Sequence, residues 1–300
     1  MEPIVWEDGV LKILDQTLLP NKVEWIVCRD YKDVASCISS MKIRGAPAIG
    51  VCAGYGVCMA KNKNDAIFLL SKTRPTGYDL FWVLDRMKEG GDDLLSLAKK
   101  IHNEEIERTY KIGEHGFSLL FDGASVLTHC NAGSLACCGV GTALAPIYLA
   151  HKKGMKINVF VAETRPRSQG ARLTMWELGQ AGINATLIAD TMIGFVMKKG
   201  FIDMVFVGAD RVAKNGDLAN KIGTYQIAIL AKFHDIPFYT FLPSSTIDLD
   251  IENGGNIPIE ERDKNELGYN FNCINPSFDV TPNHLITGII TENGYFKRND

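Results

Sequence analysis

No Cys-x-x-Cys pair occurs in this 300-residue chain, although it holds eight cysteines. Nor does it show framework spacing or a signal-like amino terminus, so reduced thiols in a cytoplasmic setting are expected, not a disulfide scaffold. Histidine is scarce, with six residues and no HxxxH-like pair, and no metal site is expected. No Gly-x-Gly-x-x-Gly run follows an apolar segment. The nearest approach, Gly139-Val140-Gly141, is expected inside a helix, which disfavours a nicotinamide-dependent dehydrogenase. Charge of one sign is also lacking. A net charge of −3 gives no general pull toward nucleic acid. Two long uncharged runs stand out, residues 46–60 and 131–150. The first is too short to cross a bilayer, and the second is diluted by glycines, Pro146 and paired cysteines. Both read as buried helices, with no membrane partner.

What is present is enough apolar content, 46%, for a sizeable core. Ile4-Val5-Trp6 and Val10 to Leu14 flank an Asp8-Gly9 turn and read as a hairpin, with Val23 to Cys28 as a third strand. Helices are expected over 31–41, 46–60, 64–72, 78–88 and 94–120. The last is long and charged; its charges read as a solvated face, and it links the halves. From Ala124 the pattern becomes strand–helix alternation. Five apolar runs end in polar clusters: His129-Cys130-Asn131, Glu163 to Arg167, Asp190-Thr191, Gly208-Ala209-Asp210 and Pro243-Ser244-Ser245. The expected fold class is α/β: a smaller N-terminal α+β domain, residues 1–120, then a mainly parallel-sheet domain, residues 121–300, with helices on both faces. The polar clusters would then share one rim.

The stretch from Gly200 to Gln226 concentrates the chemistry. Asp203 to Val207 reads as a buried strand that leaves Asp210 at its carboxyl end, and Asn220-Lys221 is expected to open a helix. Ligands in open α/β sheets sit beyond strand carboxyl ends, and anions favour helix amino ends. An acid beside an anion cradle suits a sugar phosphate. Each residue also has a plain reading. Asp210 suits a turn or a pair with Arg211, and Lys221 suits the surface. Arg44, before the small-residue turn at Gly45-Ala46, and Arg74, at a loop edge, are either phosphate grips or ordinary surface arginines. Gln169 and Gly170 suit a helix cap. Cys130 is either a thiol activated by the helix that follows Gly133 or a small buried hydrophobe.

Taken together, RGAPAIG (Arg44 to Gly50), TRPT (Thr73 to Thr76), THCNAG (Thr128 to Gly133) and ETRPRSQGARLT (Glu163 to Thr174) carry a resemblance. GADR, NGDLANKIGTYQ, IPIEER and NPSFDVTPNHLITGIITENG extend it over nearly the whole chain. The sequence resembles the S-methyl-5-thioribose-1-phosphate isomerases, which group with the α, β and δ regulatory subunits of the translation-initiation exchange factor and with ribose-1,5-bisphosphate isomerase. The resemblance implies a Rossmann-like second domain, a homodimer, a place in methionine salvage and no cofactor. It implies Asp210 as proton donor and Cys130 as transition-state stabiliser. Substrate binding falls on Arg44, Gly45, Ala46, Arg74, Gln169, Asn220 and Lys221. The chain departs from the family pattern at Gly77-Tyr78-Asp79, at Ala132-Gly133-Ser134 and in a short segment before Cys130. Tyr78 and Asp79 are expected to reshape the pocket for the 5-substituent.

The chemistry expected is acid-assisted opening of a furanose 1-phosphate, then hydrogen transfer from C2 to C1. A 5-deoxyribose 1-phosphate isomerase would carry nearly the same motifs. A regulatory subunit that binds a sugar phosphate or nucleotide without turning it over would not need both Cys130 and Asp210.

Overall fold

The structure is a computed structural model that describes residues 2–297. Strands β1 (Ile4–Glu7), β2 (Val10–Leu14) and β3 (Trp25–Cys28) form an antiparallel sheet. Asp8 and Gly9 both take positive φ, the geometry that lets a two-residue hairpin follow the strand twist. Four helices follow: α1 (Tyr31–Ser39), α2 (Ala46–Cys58), α3 (Lys63–Ser71) and α4 (Tyr78–Glu89). Asp30 caps the first by accepting from the Lys32 and Asp33 N–H groups. Helix α2 is apolar all round and buried from Ala46 through Val57, so it forms the axis of the first core.

Helix α5 (Leu94–Phe117) runs between two cores, giving Ala98 and Ile101 to the first and Ile112 to the second. Its charges do not all lie on a solvated face. Glu105 is buried within 3.7 Å of Arg108. The helix is sandwiched between α2 and the sheet domain, which leaves part of its polar face no access to water.

The second half alternates as expected: β4 (Ser125–Thr128), α6 (Ser134–Cys137), α7 (Ala145–Lys152), β5 (Asn158–Ala162), α8 (Met175–Gln180), β6 (Ala185–Ile188), α9 (Ile193–Lys198) and β7 (Met204–Val207). Then come β8 (Arg211–Ala213), β9 (Leu218–Lys221), α10 (Thr224–Phe233), β10 (Phe238–Phe241), β11 (Ile247–Asp248), β12 (Phe278–Thr281), β13 (Gly288–Thr291) and β14 (Gly294–Lys297). The large sheet has the order β14-β13-β10-β7-β4-β5-β6, parallel except for its edge strand β14. Helices cover both faces over two apolar cores. A small sheet, β11-β8-β9-β12, sits beyond the end of β7.

Residues 131–150 do not form one buried helix. Cys138, Gly139 and Gly141 take φ of 59°, 68° and 87°, so the chain reverses between two short helices. The Gly139-Val140-Gly141 run is therefore a turn. No helix among the described residues is long and apolar enough to cross a membrane.

Candidate active site

The chain leaves β4, builds β5 and β6 to one side, and returns to place β7 on the other. That reversal opens a crevice above the carboxyl ends of β4 and β7, where open α/β sheets take ligands. Thr128 and Phe206 pair across these strands. Cys130 follows the first strand and Asp210 the second. The N-terminal half closes the crevice with the start of α2 and the loop before α4. The result is a cavity of about 710 Å³, open mouth included. All nine residues singled out from the sequence line it: Arg44, Gly45, Ala46, Arg74, Cys130, Gln169, Asp210, Asn220 and Lys221.

Local geometry explains several of them. Gly45 has φ 101°, and a Cβ there would lie 2.3 Å from the Ala136 carbonyl oxygen, so only glycine lets α2 start against α6. Both terminal nitrogens of Arg44 donate to the Asn131 carbonyl, at 3.0 and 3.1 Å, and one also donates to the Asn131 side-chain oxygen. Its buried Nε has no partner, and neither does the side-chain oxygen of Gln169. Buried polar groups are rarely left so, and both suit a ligand.

Cys130 takes φ 63°, a costly conformation for a residue with a side chain. It is held there by its N–H donating to Thr164 Oγ1 and its carbonyl accepting from Thr174 Oγ1. The thiol is not activated by a helix end. Helix α6 is four residues long and begins four residues later, whereas burial pushes the thiol pKa up against the pull of Arg44 and Lys221. The cysteine sits in the cavity as a neutral, polarisable donor.

Asp210 is raised to about 6, by burial first, against the lowering fields of Arg74, Arg44 and Lys221; Glu260 adds to the rise. It does not pair with Arg211, which bonds Asp248 at 3.2 Å and the carbonyls of Pro75 and Thr76 at 3.0 Å each. The Asp210 backbone is anchored twice. Its carbonyl accepts from Tyr78 N–H at 3.2 Å, and its own N–H donates to Ala219 O at 3.0 Å. Asn220 and Lys221 do not open a helix; they end strand β9, and α10 starts at Thr224 after a left-handed Gly223. The Asn215-Gly216 pair between β8 and β9 is the hairpin signal that would have revealed this sheet. Burial lowers the Lys221 pKa, while Cys130 and Asp210 oppose that shift.

The sequence matches the Initiation factor 2 subunit family over residues 42–298. The chain belongs to that family. It is 47% identical over 328 residues to the methylthioribose-1-phosphate isomerase of Desulforamulus reducens, spanning 98% of this chain and 95% of that one. It is also 47% identical over 329 residues to the 5-deoxyribose 1-phosphate isomerase of Bacillus thuringiensis, with the same two coverages. The crystal structure of 5-methylthioribose 1-phosphate isomerase from Pyrococcus horikoshii OT3 superposes with a TM-score of 0.88 at 39% identity, over 99% of this chain and 92% of that one. The translation initiation factor eIF-2B delta subunit from A. fulgidus gives 0.84 at 40% identity, over 99% and 96%.

The cavity also holds residues that the sequence did not single out, two of them, Arg167 and Arg262, within the family motifs. Arg167, Arg262 and Glu266 line the same cavity. Glu266 bonds Arg167 and Arg262 at 2.8 Å each, and Glu260 bonds Arg262 at 2.9 Å and Arg74 at 2.7 Å. The signal was present in Glu163 to Thr174 and in IPIEER, but spacing alone does not show that the two segments meet. Tyr78 and Asp79 do not line the cavity. Tyr78 lies against Arg211, and the Asp79 carboxylate accepts from Ser245 and Thr246 at 2.6 and 2.8 Å. Among the described residues one group has metal-ligating character, Glu2, His102 and Cys138, and it lies outside the cavity.

Proposed function

We propose that the chain is an aldose–ketose isomerase that converts 5-methylthioribose 1-phosphate to 5-methylthioribulose 1-phosphate in methionine salvage. The observation that carries this reading is the meeting of Cys130 and Asp210, eighty residues apart, on one cation-rich cavity at the sheet's switch point. The cavity is lined by Arg44, Arg74, Arg167, Lys221 and Arg262 and by two carboxylates, Asp210 and Glu266, with Glu260 paired to Arg74 and Arg262 behind the lining. The excess positive charge, larger still when Asp210 is protonated, favours a phosphate dianion.

In this reading Asp210 donates its proton to the ring oxygen as the bond from that oxygen to C1 breaks. Hydrogen then moves from C2 to C1, and Asp210 takes the proton from the C2 hydroxyl as the ketone forms. The acid is thereby regenerated. A bound dianion offsets the cations that hold the Asp210 pKa down, so substrate favours the protonated, donating form. Arg44, the Gly45 and Ala46 N–H groups, Arg74, Gln169, Asn220 and Lys221 fix the phosphate and sugar. Neutral Cys130 stabilises charge developing near C1 and C2.

Incubation of the purified protein with methylthioribose 1-phosphate tests the reading, with ketose 1-phosphate as the expected product. Binding without turnover would support the regulatory reading that the A. fulgidus neighbour's name suggests. Comparison of kcat/KM for the 5-methylthio and 5-deoxy sugars ranks the two substrates, with the methylthio sugar expected ahead. Deuterium at C1 of product formed in heavy water would exclude a pure hydride shift.

The same reading divides the chain at residue 120, places it in the cytoplasm and makes it a homodimer. All eight cysteines are free. Tyr225, Ile229 and Phe233 form an exposed apolar row on α10 beside Phe195 on α9, a face suited to a second copy. Light scattering of the wild type, expected at twice the 33.1 kDa chain mass, checks this.

A further inference from the structure

Glu177 on α8 is buried at 5% exposure, does not line the cavity and has no part in the proposed chemistry. A carboxylate in that position is costly unless every oxygen is bonded. It faces donors throughout. One oxygen accepts from Ser134 Oγ at 2.9 Å and Leu135 N–H at 2.6 Å, and the other accepts from Asn131 Nδ2 at 2.9 Å. A Cβ on Gly133 would lie 1.7 Å from that second oxygen, so the whole Cys130 turn is wrapped on the carboxylate.

The consequence reaches the cavity through Asn131. With its amide nitrogen taken by Glu177 and by Thr174 Oγ1 at 3.2 Å, Asn131 must present its side-chain oxygen to Arg44. That oxygen and the Asn131 carbonyl together hold both terminal nitrogens of the guanidinium, and the Nε donor is left over. Thr174, which shares the Asn131 amide, also holds the Cys130 carbonyl. Among the described residues Arg44 thus has no carboxylate of its own; its counter-charge arrives one residue removed.

We propose that Glu177 is a positioning residue: through Asn131 it fixes the Arg44 guanidinium beside the cavity, so that phosphate binding depends on a carboxylate that never touches the ligand. The proposal rests on the cavity being a sugar-phosphate site. Neutralising Glu177 frees the Asn131 amide to rotate, and its N–H₂ then meets the guanidinium, donor against donor.

The test measures the dissociation constant of inorganic phosphate by calorimetry, KM and kcat for methylthioribose 1-phosphate, and the thermal midpoint. Glu177→Gln is expected to weaken phosphate binding and raise KM by about tenfold or more, the scale of one charge-assisted hydrogen bond. Asn131→Ala, which breaks the next link, is expected to do the same. Ser134→Ala removes a Glu177 donor outside the relay and is expected to lower the midpoint while phosphate affinity stays. The double substitution Glu177→Gln/Asn131→Asp restores a carboxylate–amide pair in inverted order and is expected to recover much of the affinity. Wild-type phosphate affinity in Asn131→Ala, or an equal loss in Ser134→Ala, would overturn the proposal. Should the wild type bind phosphate yet turn over no sugar, the isomerase reading fails while the relay stands.

Discussion

Two groups of buried polar side chains lie where the N-terminal half meets the large sheet, and they are built differently. In the seam, Asp79 has both oxygens bonded to hydroxyls, Arg211 is bonded to Asp248 and two carbonyls, and Arg108 lies within 3.7 Å of Glu105 and Glu292. In the cavity, no hydrogen bond of the Asp210 carboxylate or the Lys221 ammonium occurs among the described residues, and Arg44 Nε and Gln169 Oε1 are unpartnered. Burial is common to both; satisfaction is not, although the seam has one exception in Glu105, whose Oε1 is buried without a partner. A buried group with its partners holds the halves together, whereas a buried group without them is kept ready for a ligand. Within one cavity both kinds occur: Glu266 and Glu260 bond Arg74, Arg167 and Arg262, whereas Arg44 and Lys221 pair with no carboxylate among the described residues.

The largest effect that would sharpen this contrast is catalytic. Asp210→Asn and Cys130→Ser should each lower kcat by about a hundredfold or more, the scale of a lost general acid or charge stabiliser. Their urea midpoints should stay at or above that of the wild type, because neither side chain bonds within the fold. A clear drop in midpoint would place these residues with the seam instead.

The seam should behave in the opposite sense. Asp79→Ala strands two buried hydroxyls and should cost about 2 kcal/mol in urea unfolding, with turnover nearly unchanged. Loss of activity without loss of stability would break the comparison.

Next in size is the pH dependence. In the proposed mechanism Asp210 acts as an acid only while protonated, and its pKa is raised to about 6. The protonated fraction of the free enzyme is full below that pH and declines as pH rises through it. The kcat/KM profile should therefore fall about tenfold per unit on the alkaline side of pH 6. The limb in kcat should lie at higher pH, because bound phosphate offsets the neighbouring cations. Coincident limbs would deny that the dianion acts on Asp210.

The smallest effect belongs to neither group. Lys214 and Glu252 pair at 2.7 Å but are both exposed. Glu252→Gln should change unfolding free energy by less than about 0.5 kcal/mol and leave kcat alone, which sets the baseline for the other variants.

Much of the site was legible in order along the chain, because polar clusters after apolar runs mark strand carboxyl ends whichever way the sheet is ordered. Cys130 and Asp210 were found that way. The segment around Asn220 was misread because Leu218 to Lys221 is too short to show a strand period, and the apolar helix behind it dominates the local pattern. The run at 131–150 was misread because composition does not reveal that Cys138, Gly139 and Gly141 turn left-handed. The role of Glu177 was invisible, since nothing in its own segment names Asn131 as a partner forty-six residues away.

The amino-acid sequence by itself determined the α/β alternation, the family and nine of the residues that line the cavity. These follow from local periodicity and from residue types in fixed short spacings. Only the tertiary structure decided which charges meet. It gave Asp79 two hydroxyls and left Asp210 none, and it set a buried carboxylate behind Arg44 in place of one beside it. Partner choice and burial depend on contacts between segments far apart in the chain, and those exist only once the chain is folded.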